Sequence, residues 1–179
     1  MMDAAELLEN YARLVARVDA LSSAIVRDFG EKIQCRKGCA DCCRHFSVFW
    51  VEAFNLARAV DVLPEKEAEF IRSRARSAAE TDVCPLLYDG SCLLYEHRPI
   101  ICRTHGLPIL INRDGKASID FCPMNFGGME TISGSAVINL DLLNETLAAV
   151  NILFVGRYFT DTPPPAERIS IADALLLGS

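Results

Sequence analysis

The sequence predicts a mainly α protein, in which long N-terminal and C-terminal helices pack around a small irregular cysteine-rich subdomain with a β-hairpin. Three observations predict it. Residues 3–29 carry apolar side chains at helical spacing, without glycine or proline. Residues 142–158 repeat that pattern near the other end. Between them lie all eight cysteines and all three histidines (His45, His97, His105), confined to residues 35–122, while both flanks contain none.

At 179 residues the chain suits a single domain, 1–179. Residues 1–33 supply the N-terminal helix, 35–123 the cysteine region and 136–179 the C-terminal helices. The composition is 51% hydrophobic and the mean hydropathy +0.20. No window reaches the roughly 18 uncharged apolar residues of a membrane span. The nearest stretch, Ala136 to Gly156, is interrupted by Asp141, Asn144 and Glu145. No basic segment precedes an apolar run at the N-terminus, so the sequence reads as cytoplasmic, with no membrane partner. The formal charge of −6 and pI near 5.1 have the wrong sign for a nucleic-acid partner. In a reducing compartment the cysteines are expected to be ligands or catalytic groups rather than disulfides. Adjacent Cys42 and Cys43 also make a poor disulfide. Their Cα atoms are held about 3.8 Å apart, below the usual range of about 4.4–6.8 Å.

The first helix buries a stripe of Leu7, Tyr11, Leu14, Val18, Leu21 and Ile25, widened by Leu8, Val15 and Phe29, with Gly30 placed to stop it. Four heptads could pair as a coiled coil, giving a homodimer through this helix, or pack on the chain's own C-terminal helices. Cys35, Cys39, Cys42 and Cys43 would share one helical face, but Gly38 opposes a helix and admits a loop wrapping a metal. Residues 46–51 are β-prone and lead into a helix reaching Ala59. In that helix Glu52, Asn55 and Arg58 are expected to face solvent, with Phe54, Leu56 and Ala57 in the core. Pro64 and the acidic residues after it begin another helix, running to about Glu80 with a solvated charged face. Tyr88-Asp89-Gly90-Ser91 carries turn chemistry, and Ile109 to Phe121 reads as a hairpin about Asn112–Lys116. Asp141 is placed to cap the helix Leu142–Tyr158, whose apolar face is Leu143, Leu147, Val150 and Phe154. Pro163-Pro164-Pro165 ends any helix, and Ser170 introduces a last short one, Ile171–Leu177.

The metal-ligand candidates are Cys35, Cys39, Cys42, Cys43, Cys84, Cys92, Cys102 and Cys122. Thiolates select soft or borderline metals: zinc, iron–sulfur clusters or Cu(I). Eight thiolates equal two complete four-thiolate sets. Neighbours such as Cys42 and Cys43 serve two nearby centres more naturally than one. The spacing C-x3-C-x2-C from Cys35 to Cys42 is one with which radical SAM enzymes hold a [4Fe–4S] cluster, although the βα repeats of their barrel are absent. His105 could ligate or support a thiolate, His97 is expected at the surface, and His45 could go either way. Arg98 and Arg103 could balance thiolate charge or bind a substrate anion.

The order Cys35-x3-Cys39-x2-Cys42-Cys43, Cys84-Pro85-x-Leu87, Gly90-x-Cys92-x2-Tyr95-Glu96-x-Arg98-Pro99-x2-Cys102-Arg103 and Cys122-Pro123 resembles the cysteine-cluster family described as a zinc- or iron-chelating domain. Flagellin lysine N-methylases carry a related cluster. The resemblance covers residues 35–123 and implies metal chelation through the motif cysteines, with zinc and iron both open. Two functions follow. One is a binding module whose metal sites, two or one multinuclear, hold the fold. The other is an iron–sulfur-dependent redox or methyltransferase-like enzyme acting on a protein or small molecule, with a pocket near Arg98, Arg103 and His105. Phe126-Gly127-Gly128-Met129 is a weak match to a glycine-rich SAM loop.

Overall fold

The computed structural model describes residues 4–35, 38–78, 82–129 and 131–178. The protein is mainly α. Six α-helices run through these residues, with seven short strands in three small sheets. Helix α1 is Ala4–Phe29, and its Tyr11, Leu14, Val18 and Ile25 are buried as their spacing predicts. Leu21 stays exposed at 37%. The helix gives way at Gly30 to a 3-10 turn, Gly30–Lys32. Strand β1 (Ser47–Phe49) leads into α2 (Trp50–Asp61), and α3 covers Glu65–Ser77. The expected continuation of α3 to Glu80 falls on residues 79–81, outside the described set.

Strands β2 (Leu87–Tyr88) and β3 (Ser91–Cys92) form one hairpin. Helix α4 is Ile100–Thr104; β4 (Ile109–Arg113) and β5 (Lys116–Asp120) form the predicted hairpin. Strand β6 (Ile138–Asn139) joins β4 in parallel and feeds α5 (Leu140–Tyr158). Strand β7 (Arg168–Ser170) pairs antiparallel with β1, aligning Val48 with Ile169, before α6 (Ile171–Leu175). No described helix is long and apolar enough to cross a membrane.

Three apolar clusters hold these elements. The α1 stripe meets Phe49, Val51, Ile100, Leu147 and Phe154, so α1, α2, α4 and α5 share one core and most of that stripe is spent within the chain. A second core joins α2, α3 and α6, with Leu86 and Leu94 from the cysteine region and Cys84 and Cys92 packed against it. The third gathers Ile25, Leu107, Phe126, Ala136 and Ile138.

Four sequence expectations need correction. Glu52 does not face solvent; it is 3% exposed. Its carboxylate accepts the N–H of Phe49 at 3.2 Å and of Ile100 at 2.9 Å, spanning the starts of α2 and α4. Two orphan helix-end donors explain why a charge is tolerated there. Asn139, not Asp141, caps α5, accepting from Leu142 N at 3.0 Å, because the helix starts two residues earlier than expected. The face of α3 is not wholly solvated. Arg74 donates to the carbonyls of Pro85 and Leu87 and lies over the rings of Phe70 and Tyr88. Helix α6 ends at Leu175, with Leu176 as its C-cap, rather than at Leu177.

Candidate metal centre

All eight cysteines are free thiols. They divide into two environments. Residues 84–102 are built into the core. Asp89 (φ 47°) and Gly90 (φ 67°) both take positive φ, the type I′ pattern that closes the β2–β3 hairpin and sets Cys92 opposite Leu87. Buried Leu86 and Leu94 anchor the two arms. Pro99 precedes α4, whose first turn carries Cys102, with Cys102 N donating to Pro99 O at 3.0 Å. Burial pushes the Cys84 thiol up to about 11 and Cys102 up to about 12, each raised further by neighbouring thiolates. Burial likewise raises Cys92. The guanidinium of Arg98 opposes the shift at Cys92 and Cys102, which is the charge-balancing role open to it from sequence. That side chain also stacks 3.5 Å from the Tyr95 ring centroid.

The described residues of the first cysteine group, 35 and 38–43, form no helix or strand, and Cys35 and Cys42 are exposed. The group is tied to the second half at three places. Cys43 O accepts from Cys84 N at 3.2 Å and His45 N donates to Asp82 O at 2.8 Å, with a bridge between Arg44 and Val83. Gly38 N donates to Gly90 O at 3.1 Å, and a Cβ on Gly90 would lie 3.3 Å from Gly38 Cα, so the two backbones pass where side chains would obstruct. The third tie is Asn125, 1% exposed. Its amide accepts from Gln34 N at 2.8 Å and donates to Gly106 O at 2.7 Å and to Cys35 Sγ at 3.2 Å. Gly106 has φ +85°, and a Cβ there would stand 2.7 Å from Cys35 Sγ and 3.5 Å from Cys122 Cβ. Cys35 and Cys122 therefore meet across a glycine.

Electrostatics link the remaining thiols. Burial first, then thiolate charge on Cys43, Cys39 and Cys35, pushes Cys42 up to about 11. Cys43 in turn raises Cys84, Cys92 and Cys102. It is the common neighbour of both groups. Among the described residues no three cysteine, histidine or acidic side chains already stand as a set able to hold an ion. The donor chemistry nevertheless suits a soft metal: reduced thiols, gathered within electrostatic reach and lacking disulfide competition.

The histidines fall outside this thiol network. His45 Nε2 accepts from Ala172 N at 3.3 Å, serving the start of α6, and His97 is exposed. His105 lines a cavity of about 460 Å³ that also touches Cys42; Arg98 and Arg103 do not line it. Arg103 instead pairs with Asp19 on α1 at 2.7 Å and donates to the carbonyl of Arg98. Sequence reading missed Asn125 as a thiol partner and Gly106 as its cradle. The Asn125 position, three residues past Cys122, was the available signal.

No curated protein and no solved structure matches the chain. The family profile described as "CxxCxxCC: Putative zinc- or iron-chelating domain" matches residues 34–123, the stretch that contains every thiol and both halves of the site. The cysteine order, the two joined halves and this match together establish that the chain belongs to the CxxCxxCC family of zinc- or iron-chelating domains.

Proposed function

We propose that the protein binds zinc or iron through two closed four-thiolate centres, Cys35, Cys39, Cys42 and Cys122 in one, Cys43, Cys84, Cys92 and Cys102 in the other. The observation that carries this reading is the divergence of the vicinal pair. Beyond the strong influence of Cys43 on Cys42, Cys42 responds to Cys39 and then Cys35, whereas Cys43 is felt by Cys84, Cys92 and Cys102. Cys122 completes the first set through its approach to Cys35 at Gly106. Four thiolates saturate a tetrahedral ion, and closed sites of this type contribute folding energy rather than a reactive position. The metals would fasten the loop 35–43 onto the core.

An enzymatic reading has one observation in its favour, the cavity beside Cys42. Iron–sulfur centres would supply electron transfer there. Anaerobic purification with metal and acid-labile sulfide analysis separates the two. Two zinc per chain without sulfide supports the structural reading, whereas stoichiometric sulfide with a brown chromophore replaces it with the iron–sulfur one. The division is tested by Cys42→Ser and Cys43→Ser. Each is expected to lose a different metal equivalent, so that pairing either with Cys84→Ser shows loss of one equivalent for Cys43 and of both for Cys42. Equal metal content in the two double variants would refute the division.

A further inference from the structure

The cavity beside Cys42 has features that neither metal centre requires. Its volume of about 460 Å³ lies in the range of small-molecule sites, about 300–1,000 Å³. One wall is apolar: Leu140, Leu143 and Leu147 project from successive turns of α5. Arg44 and Arg168 also line it. Among the described residues neither guanidinium makes a hydrogen bond or a direct ion pair. The guanidinium carbon of Arg168 sits over the Phe49 ring, 3.7 Å from its centroid, a contact that holds the side chain at the cavity wall. Two carboxylates border the same space; Arg168 is close enough to Glu52 to oppose the upward shift that burial gives its carboxyl, but makes no direct ion pair with it. Glu52 has both oxygens engaged by the N–H groups of Phe49 and Ile100, and Asp41 is exposed.

We propose that this cavity binds a small organic acid, its apolar body against α5 and its carboxylate held by Arg168 and Arg44. Planar guanidinium edges match carboxylate geometry, and a stacked arginine loses less freedom on binding. The site rests on the cavity and its cations, so it stands whichever metal the thiolates hold.

The test is calorimetric titration of the full-length, metal-loaded protein with octanoate and with its uncharged isostere octanamide. Octanoate is expected to bind one equivalent, at least tenfold more tightly than the amide. Arg168→Gln and Arg44→Gln should each weaken octanoate by about tenfold, the effect of one charged hydrogen bond, while leaving octanamide unchanged. Because Arg168 also packs on Phe49, the exposed Arg44 provides a variant with little risk to the fold. Leu143→Trp should weaken both ligands by filling the apolar end, with metal content and circular dichroism preserved. Equal affinity for acid and amide, no octanoate binding at millimolar concentration, or unchanged octanoate affinity in Arg44→Gln would overturn the proposal. A metal-free preparation would instead count against the metal reading alone.

Discussion

Two stretches of the cysteine region, 84–102 with three thiols and 35–43 with four, place them in different ways. Residues 84–102 place their thiols through ordinary folding. A hairpin with a favourable turn, two buried leucines and a helix seeded on Glu52 would position them before any metal arrived. Residues 35–43 have little of this. They carry no helix or strand among the described residues and reach the core through a few backbone hydrogen bonds, one asparagine and two glycine crossings. The three donors of residues 84–102 are preorganised and the four of residues 35–43 are fastened to them. A metal would therefore do more for the first half than for the second.

Chelation should expose this difference most strongly. Structural zinc in small peptides contributes about 10–16 kcal/mol. Removing it here should release residues 35–43 while the helical signal of α1, α2 and α5 persists. Iodoacetamide followed by mass spectrometry reads the outcome, with Cys35 and Cys39 expected to react first. Cys84, pushed to about 11, is mostly protonated at pH 8 and should react about a hundredfold more slowly than an ordinary thiol. The sign follows from linkage. The fold holds those protons more tightly than the unfolded chain, so metal-free protein loses stability as pH rises from about 9 toward 11. Cys84 alkylation should accelerate about tenfold per pH unit up to about pH 10 and then level off towards pH 11. Uniform labelling of all eight thiols at pH 8 would erase the contrast.

Two substitutions should break one half each. Glu52→Ala leaves the buried N–H groups of Phe49 and Ile100 without their acceptor, at about 1–3 kcal/mol each. The start of α4 loosens, and with it Cys102. A lower melting temperature with preferential loss of the Cys43–Cys102 centre is expected. Gly106→Ala acts on the other half. Its φ of +85° disfavours any side chain, and the new methyl would meet Cys35 Sγ at 2.7 Å. Strain and overpacking together cost about 2–5 kcal/mol. Metal analysis should then find the Cys35–Cys122 centre depleted and the other retained. If both variants lost the same equivalent, the two halves would not be separable.

Much of this arrangement was legible in local sequence pattern. The α1 stripe, the helix over residues 142–158, the 109–121 hairpin and the turn at 88–91 follow from spacing and from Asp-Gly dipeptides, which act within a few residues. What escaped is long-range. Glu52 is polar at a position where helical period alone predicts exposure, and only the approach of α4 from 48 residues away explains its burial. The pairing of β1 with β7 joins segments far apart in the sequence through strands of three residues, too short to announce a partner. Asn125 sits in a stretch that reads as loop. Its meaning depends on Gln34, Cys35 and Gly106 arriving together. His45 was ambiguous for the same reason, since its partner, Ala172 N, lies 127 residues on.

Tyr11 offers the smallest test, on the preorganised side. Its hydroxyl is buried beneath α2 and α4 and has no hydrogen-bond partner among the described residues. Burial, then the nearby Glu52 charge, raises its pKa well above the ordinary value, so the group is a neutral donor throughout the physiological range. An unsatisfied buried polar group costs about 1–3 kcal/mol. Tyr11→Phe removes the hydroxyl and keeps the ring that packs with Leu14, Val18 and Phe154. The variant should therefore be about 1 kcal/mol more stable to urea, with both metal equivalents and the slow alkylation of Cys102 unchanged. Destabilisation would mean that the hydroxyl is satisfied by a bound water and that the core under Cys102 is wetter than its packing implies.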